Sequence, residues 1–232
     1  MDIEAYSRVA PQYYDMHIPP LLKSYLNSEK PDTILDAGAG DGSLLYALSN
    51  SGYLKGRKVY AIDLSRNRID LIRQYHKDIT ASVDDVEKLA TIKDDSIDFL
   101  ISTQVIEHVD DAKMLKSAER VLKRNGTVYL STVFKKSYAR YFYRNDGKWV
   151  LDPTHLREYK SDEELLHLIP EDKFMILENS KTLQWFPVAD FFIKRSNIKN
   201  RELFSRGFPA LIRHIKVPIL GYYNWEIVLK KL

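Results

Sequence analysis

Cysteine is missing from all 232 residues, so disulfides, thiolate metal sites, thiol nucleophiles and cysteine-held iron–sulfur clusters are excluded. No uninterrupted apolar run approaches the ~20 residues of a bilayer span. The stretch MDIEAYSRVAPQYYD also lacks an apolar signal core, and the expectation is a soluble, intracellular, cytoplasmic protein. Net charge is small too: a formal +3 is too little to argue for nucleic acid by itself. No His, Asp or Glu cluster has ligand spacing, so the sequence offers no metal site. The length suits one α/β domain with a little left over for a cap, given about 100–200 residues per domain.

What is present centres on ILDAGAGDG, residues 34 to 42, and on VYAID at 59 to 63. Ile34 and Leu35 read as the buried end of a strand. Gly38, Gly40 and Gly42 then remove side chains from a turn, letting backbone approach a ligand closely. The helix opening there, SLLYALSNSG, presents unpaired N–H groups that favour a carboxylate or phosphate. About 20 residues on, a second strand ends in Asp63, an acceptor for paired ribose hydroxyls. The dinucleotide pattern G-x-G-x-x-G would need glycine at position 43, where Ser43 stands. Asp36 precedes the first glycine; its carboxylate would repel a pyrophosphate and accept from an ammonium group. An adenosine carrying a zwitterionic amino-acid tail fits both features, which describes S-adenosylmethionine.

On this turn, the acidic second strand and the later segments, the chain resembles the class I S-adenosylmethionine-dependent methyltransferases over roughly residues 5 to 170. The likeness is to the small-molecule branch similar to ubiquinone and menaquinone biosynthesis methyltransferases. The resemblance implies a Rossmann-like α/β fold. Its seven-stranded, mostly parallel sheet has helices on both faces, a last strand that enters antiparallel, and a helical cap. The expected division is one methyltransferase domain over 1–232, with lid helices at 1–30, a core sheet at 31–184, a helical insertion at 185–221 and the last strand at 222–232.

The resemblance also implies roles for particular residues. Tyr14 would close over the cofactor as part of the lid, although plain helix packing explains it as well. Leu64 would face the adenine. Asp85 would bond the adenine amino group and the Val86 N–H a ring nitrogen, with Asp84 one residue away; either aspartate could instead cap a short helix DVEKLA. The strand SIDFLISTQV is a near-continuous apolar run, expected at the sheet centre. It delivers Thr103, Gln104, Glu107 and His108 to the carboxyl edge that carries the glycine turn. Glu107-His108 would orient the cofactor's methionine end, face the substrate or simply fix the loop. The helix DDAKMLKSAERVLKRNG is expected to stop at Gly126. His155, in DPTHLREY ahead of a helix capped by Ser161 and Glu164, is the first candidate for general base and His108 the second.

From Trp185 onward Lys and Arg occur nine times against three acidic residues, interleaved with phenylalanines. Three readings of the insertion stay open: a cap over the acceptor pocket, a patch resting on anionic lipid, and a contact between copies of the chain. The function expected is methyl transfer to an oxygen or nitrogen of a small molecule, lipid-linked, quinone-like or a sugar. Cytosine-C5 methylation is excluded with the missing thiol. The rivals are an RNA or tRNA methyltransferase, a non-catalytic S-adenosylmethionine-binding protein and a nicotinamide oxidoreductase. Against the first, the strand exit STQV lacks an Asn/Asp-Pro-Pro-aromatic tetrad, and no RNA-binding module is attached.

Overall fold

Ile34 and Leu35 are neighbours in sequence, yet they enter two different hydrophobic cores. A strand's period of two requires this when both of its faces are covered. In the computed structural model, which describes residues 14, 16–141, 143–145, 147–189, 202–203, 207–212 and 214–232, that strand is β1 (Thr33–Ala37), buried along its whole length. It pairs in parallel with β2 (Lys58–Asp63) on one side and with β4 (Ile97–Thr103) on the other. Beyond them lie β3 (Ile79–Val83) and β5 (Leu122–Lys135), again parallel. The strand latest in sequence, β9 (Lys216–Lys231), runs antiparallel between β5 and β8 (Phe174–Pro187). The order is β3-β2-β1-β4-β5-β9-β8, the mostly parallel sheet with one reversed strand that the sequence led us to expect.

Helices cover both faces. On the face of Ile34, helix α1 (Pro20–Glu29) buries Leu22 and Leu26 against Phe99, Tyr129 and Val228. The spacing of four residues stacks the two leucines on one side of the helix. Helix α2 (Ser43–Asn50) adds Leu45 to a smaller cluster with Val59, Ala61 and, from α3 (Arg66–Tyr75), Ile69 and Ile72. On the face of Leu35, α4 (Asp111–Val121) contributes Met114, Leu115, Ala118 and Val121. Ser65 and Asp110 cap α3 and α4 by accepting from the N–H groups of Arg68 and Lys113.

Three local expectations are corrected. DVEKLA forms turns, not a helix, because Asp84 accepts from Thr91 N and Oγ1 at 2.7 Å each, and from Asp85 N at 2.8 Å. Side-chain bonds of this kind compete with helical ones. The Arg120 guanidinium completes the arrangement by donating to the carbonyls of Lys88, Leu89 and Ile92. Arg120→Ala should therefore lower stability by about 2 kcal/mol, since those carbonyls lose a charged donor. Urea denaturation checks this, and an unchanged midpoint would mean that water satisfies them. Secondly, α4 stops at Val121, before Gly126. The ladder from Ile97↔Leu122 to Phe99↔Thr127 leaves residues 123–126 looped out of β5. A Cβ on Gly126 would lie 2.8 Å from the Lys123 carbonyl oxygen, so glycine serves that loop. Thirdly, α5 is only Glu163–Leu166, and Glu164 Oε2 accepts from Lys160 N at 2.8 Å, not from Ser161 N.

The 185–221 segment begins and ends as strand, since β8 continues to Pro187 and β9 starts at Lys216. Its helical content among the described residues is α6 (Gly207–Ile212) with Val188 and Ala189. A small hairpin, β6 (Tyr143–Asn145) with β7 (Lys148–Val150), forms where turn chemistry was expected. No helix among the described residues is long and apolar enough to cross a membrane.

Candidate active site

The carboxyl ends of the parallel strands open onto one cavity of about 1290 Å³. Among its lining residues are Asp36, Gly38, Gly40, Asp63, Leu64, Val86, Thr103, Gln104 and His108. These were read from separate segments and the topology brings them together. The glycine turn is fixed from below by one acceptor, the Ile62 carbonyl, which takes N–H bonds from Gly38 at 2.9 Å and Ala39 at 2.8 Å. Asp63 reaches the turn itself: Oδ2 accepts from Gly40 N at 3.0 Å and Oδ1 from Ser65 N at 2.8 Å. Helix α2 then starts from Gly42 without a side-chain cap, so its first N–H groups remain directed at the turn.

Asp36 is the electrostatic anomaly of this wall. It is buried, its Oδ2 has no hydrogen-bond partner, and burial followed by repulsion from Asp63 pushes its pKa up to about 7. An unpaired buried carboxylate is costly, and a cationic ligand group would relieve it. Gln104 adds backbone strain at the end of β4, with φ +56° in the left-handed region. Its side chain crosses to Asn224 Oδ1 at 3.2 Å.

Of the expected site residues, Tyr14, Asp85, His155 and Glu107 lie off the cavity wall. The Tyr14 ring is fully buried, stacked on Tyr46 at 4.5 Å, and its hydroxyl donates to the Asp41 carbonyl at 3.3 Å. It thus braces the glycine turn from behind. Asp85 turns its carboxylate to local partners, accepting from Glu87 N at 2.9 Å and pairing with Lys88 at 3.4 Å. His155 stands behind His108, their ring centroids 4.7 Å apart.

Glu107 joins those two histidines. It is fully buried; Oε2 accepts from Thr132 Oγ1 at 2.9 Å, Oε1 has no partner, and burial pushes its pKa up to about 7. Its carbonyl accepts from Leu156 N at 2.9 Å and Arg157 N at 3.3 Å, which anchors the 152–158 loop beside β4. His108 Nδ1 lies 3.2 Å from the Thr154 carbonyl, an acceptor only, so Nδ1 carries the proton. Burial, then His155, pushes the His108 pKa down, leaving a neutral ring with a bare Nε2.

Sequence reading missed the opposite wall, where Ser131, Ser180, Thr182, Trp185, Lys216, Asn224 and Glu226 come from β5, β8 and β9. One signal was available. Asn224 and Glu226 stand two apart in the run YYNWEIVL, which places both on one face of a strand. Glu226 is buried and accepts from the Tyr129 hydroxyl, whose pKa is pushed well up by burial and by that carboxylate.

A parallel sheet with one reversed strand, bearing an acid-led glycine turn at its carboxyl edge, defines the class I methyltransferase fold. Residues 35–130 match the model of the methyltransferase domain family. The chain is 31% identical over 159 residues to the ubiquinone biosynthesis O-methyltransferase of Nitrosomonas europaea, covering 60% of this chain and 65% of that one. It spans just under two thirds of the length of the curated relatives it matches first. The enzyme of the same name from Proteus mirabilis is 24% identical over 220 residues, covering 85% of this chain and 87% of that protein. Among solved structures, geranyl diphosphate methyltransferase in complex with GPP and sinefungin superposes with a TM-score of 0.58 at 16% identity. That match covers 90% of this chain and 77% of the other. The resemblance to class I methyltransferases drawn from the sequence stands, and so does the fold class.

Proposed function

We propose that this chain transfers the sulfonium methyl group of S-adenosylmethionine to an oxygen of a small-molecule acceptor. The observation that carries the reading is the convergence of buried, unpartnered Asp36 and turn-bound Asp63 on the same cavity as Gly38 and Gly40. Asp36 would take the ammonium of the methionine moiety, Asp63 the ribose hydroxyls, and Leu64 and Val86 the adenine faces. Oxygen is preferred over nitrogen because the curated relatives are named O-methyltransferases. Trp185 and Lys216, both from the 185–221 segment, line the cavity opposite the turn, which supports the cap reading of that segment.

The chemistry asks little of side chains. The leaving thioether is neutral, so aligning the acceptor with the carbon–sulfur bond and excluding water supply most of the acceleration. Isothermal titration with S-adenosylmethionine and with its demethylated product tests the reading. Both should bind one to one with dissociation constants of about 1–100 μM, a range of about 5–8 kcal/mol. Absence of heat with either compound, or preferential binding of a nicotinamide dinucleotide, would overturn it.

A further inference from the structure

We propose that the acceptor is a sugar or other polyol, held through its hydroxyl groups by a row of polar side chains on β5, β9 and β8; this deepens the methyl-transfer reading and rests on it. The register builds that row. Thr103 of β4 stands opposite Ser131 of β5, Ser131 opposite Glu226 of β9, and Glu226 opposite Ser180 of β8. Residues opposite one another share a face of the sheet, and a step of two along a strand returns to it. One such step away, the same face carries Ile101, Tyr129 and Val228, buried in the core under α1. One step the other way, β9 and β8 present Asn224 and Thr182. The face thus turns from apolar to polar where the cavity begins.

The row lies clear of the half of the cavity assigned to the cofactor. Asp36 stands opposite Ile101 on this same face, and β9 is the third strand along from β1, about 14 Å away at the usual strand spacing. Glu226 spends Oε1 on the Tyr129 hydroxyl and keeps Oε2 for a ligand. An ionised carboxylate only accepts, so the group that meets it must donate. The hydroxyls of Thr103, Ser131, Ser180 and Thr182 line the cavity and make no side-chain hydrogen bond among the described residues. The amides of Gln104 and Asn224 bond each other through one half each, which leaves Gln104 Oε1 to accept and Asn224 Nδ2 to donate.

An apolar ring set against this row would leave those groups unpaired at about 1–3 kcal/mol apiece. A polyol pairs them, since each of its hydroxyls both donates and accepts. A zwitterion fits less well, because the row holds one carboxylate and no cation to meet the ligand's own. Trp185 supplies the remaining element. Its ring lines the cavity and is half exposed, a plate on which the C–H face of a sugar ring packs while hydroxyls at the ring's edge reach the polar row. Glu226 and Trp185 are on this account the residues that set acceptor specificity.

Saturation-transfer NMR on the full chain, with the demethylated cofactor present, tests this with a mixture of methyl glucoside, methyl rhamnoside, myo-inositol and, as the apolar rival, a prenylated catechol. Saturation should pass to at least one of the three polyols and not to the catechol. Glu226→Gln, which can still accept from Tyr129, and Trp185→Ala should each weaken polyol binding by about 10-fold or more, and the near-isosteric Thr182→Val by about 3-fold. Cofactor affinity measured by calorimetry should stay within about twofold of the parent in all three, and thermal melts establish that each is folded. Saturation of the catechol alone, saturation of no polyol, or equal polyol affinity in the parent and a folded Glu226→Gln would overturn the acceptor class, and cofactor binding would keep the proposed function standing. Polyol binding by a chain without affinity for S-adenosylmethionine would overturn the proposed function and leave the polyol site.

Discussion

Asp36→Asn should weaken S-adenosylmethionine binding by about 100-fold at pH 8 while making the ligand-free protein more stable. Both effects follow from one carboxylate. Asp36 is buried, Oδ2 has no partner, and its pKa is pushed from 3.8 to about 7 by burial and then by Asp63. Between those two values the folded state binds a proton that the unfolded state has released. The stability tied to that proton is complete below pH 3.8 and is lost as pH rises through about 7. Above pH 7 the ionised group costs at most about 4 kcal/mol, a cost that asparagine does not carry. The variant's advantage should grow from nothing near pH 4 to its full size above pH 7, worth about 5–10 °C in melting temperature.

Affinity should move the other way. An ammonium ligand needs the ionised carboxylate, so wild-type binding should strengthen about tenfold per pH unit up to about pH 7 and weaken again above about pH 8, where the ligand's own amino group loses its proton. The variant should bind weakly with no such slope, having lost a charge-assisted bond worth about 3 kcal/mol. Calorimetric binding and thermal melts between about pH 5 and 9 measure both arms. Equal affinities at pH 8 would place the ammonium elsewhere in the cavity.

Gly38→Ala should lower the melting temperature by about 10 °C and abolish cofactor binding. Gly38 has φ +82°, and an added Cβ would lie 2.4 Å from Val105 Cγ2 and 3.0 Å from Val105 Cγ1. Left-handed backbone costs a residue with a side chain about 1–2 kcal/mol and overpacking about 1–3 more; a domain of this size loses about 2–4 °C per kcal/mol. The added methyl forces apart the end of β1 and the exit of β4, the two walls that bracket the ligand. Val105→Ala in the same chain should restore about half of the loss, because it removes the clash and leaves the backbone strain. Gly40→Ala is the contrast: with nothing within 4 Å of its added Cβ, it should cost only about 1–2 kcal/mol. Equal melting temperatures for the two alanine variants would refute the packing argument.

The features legible in sequence are those whose physics is local. A glycine turn, an acid ahead of it, an acid at the next strand end and an unbroken apolar run each state their geometry within a few residues. Tyr14 was legible as belonging to this region, as a lid or as plain packing, but its stacking partner Tyr46 was not. The turns at 85–90 failed as a helix because Asp84 and Arg120 outcompete helical bonds, and Arg120 comes from another element altogether. The polar wall of Asn224, Glu226, Ser180 and Thr182 was hidden because strand alternation shows which residues share a face and not what that face meets. Glu107, His108 and His155 were each singled out, yet only the docking of the 152–158 loop made them one cluster.

The position of β9 governs how the protein can be made. It follows every other strand in sequence, yet it sits inside the sheet, bonded to β5 on one side and β8 on the other. Until it leaves the ribosome, β5 exposes an unpaired edge and β8 has no neighbour in the sheet, both templates for association with other chains. Lys230, which binds Glu29 Oε1 and Oε2 and Thr127, ties this late arrival to the end of α1. Synthesis must therefore hold an open half-sheet until its middle strand is inserted.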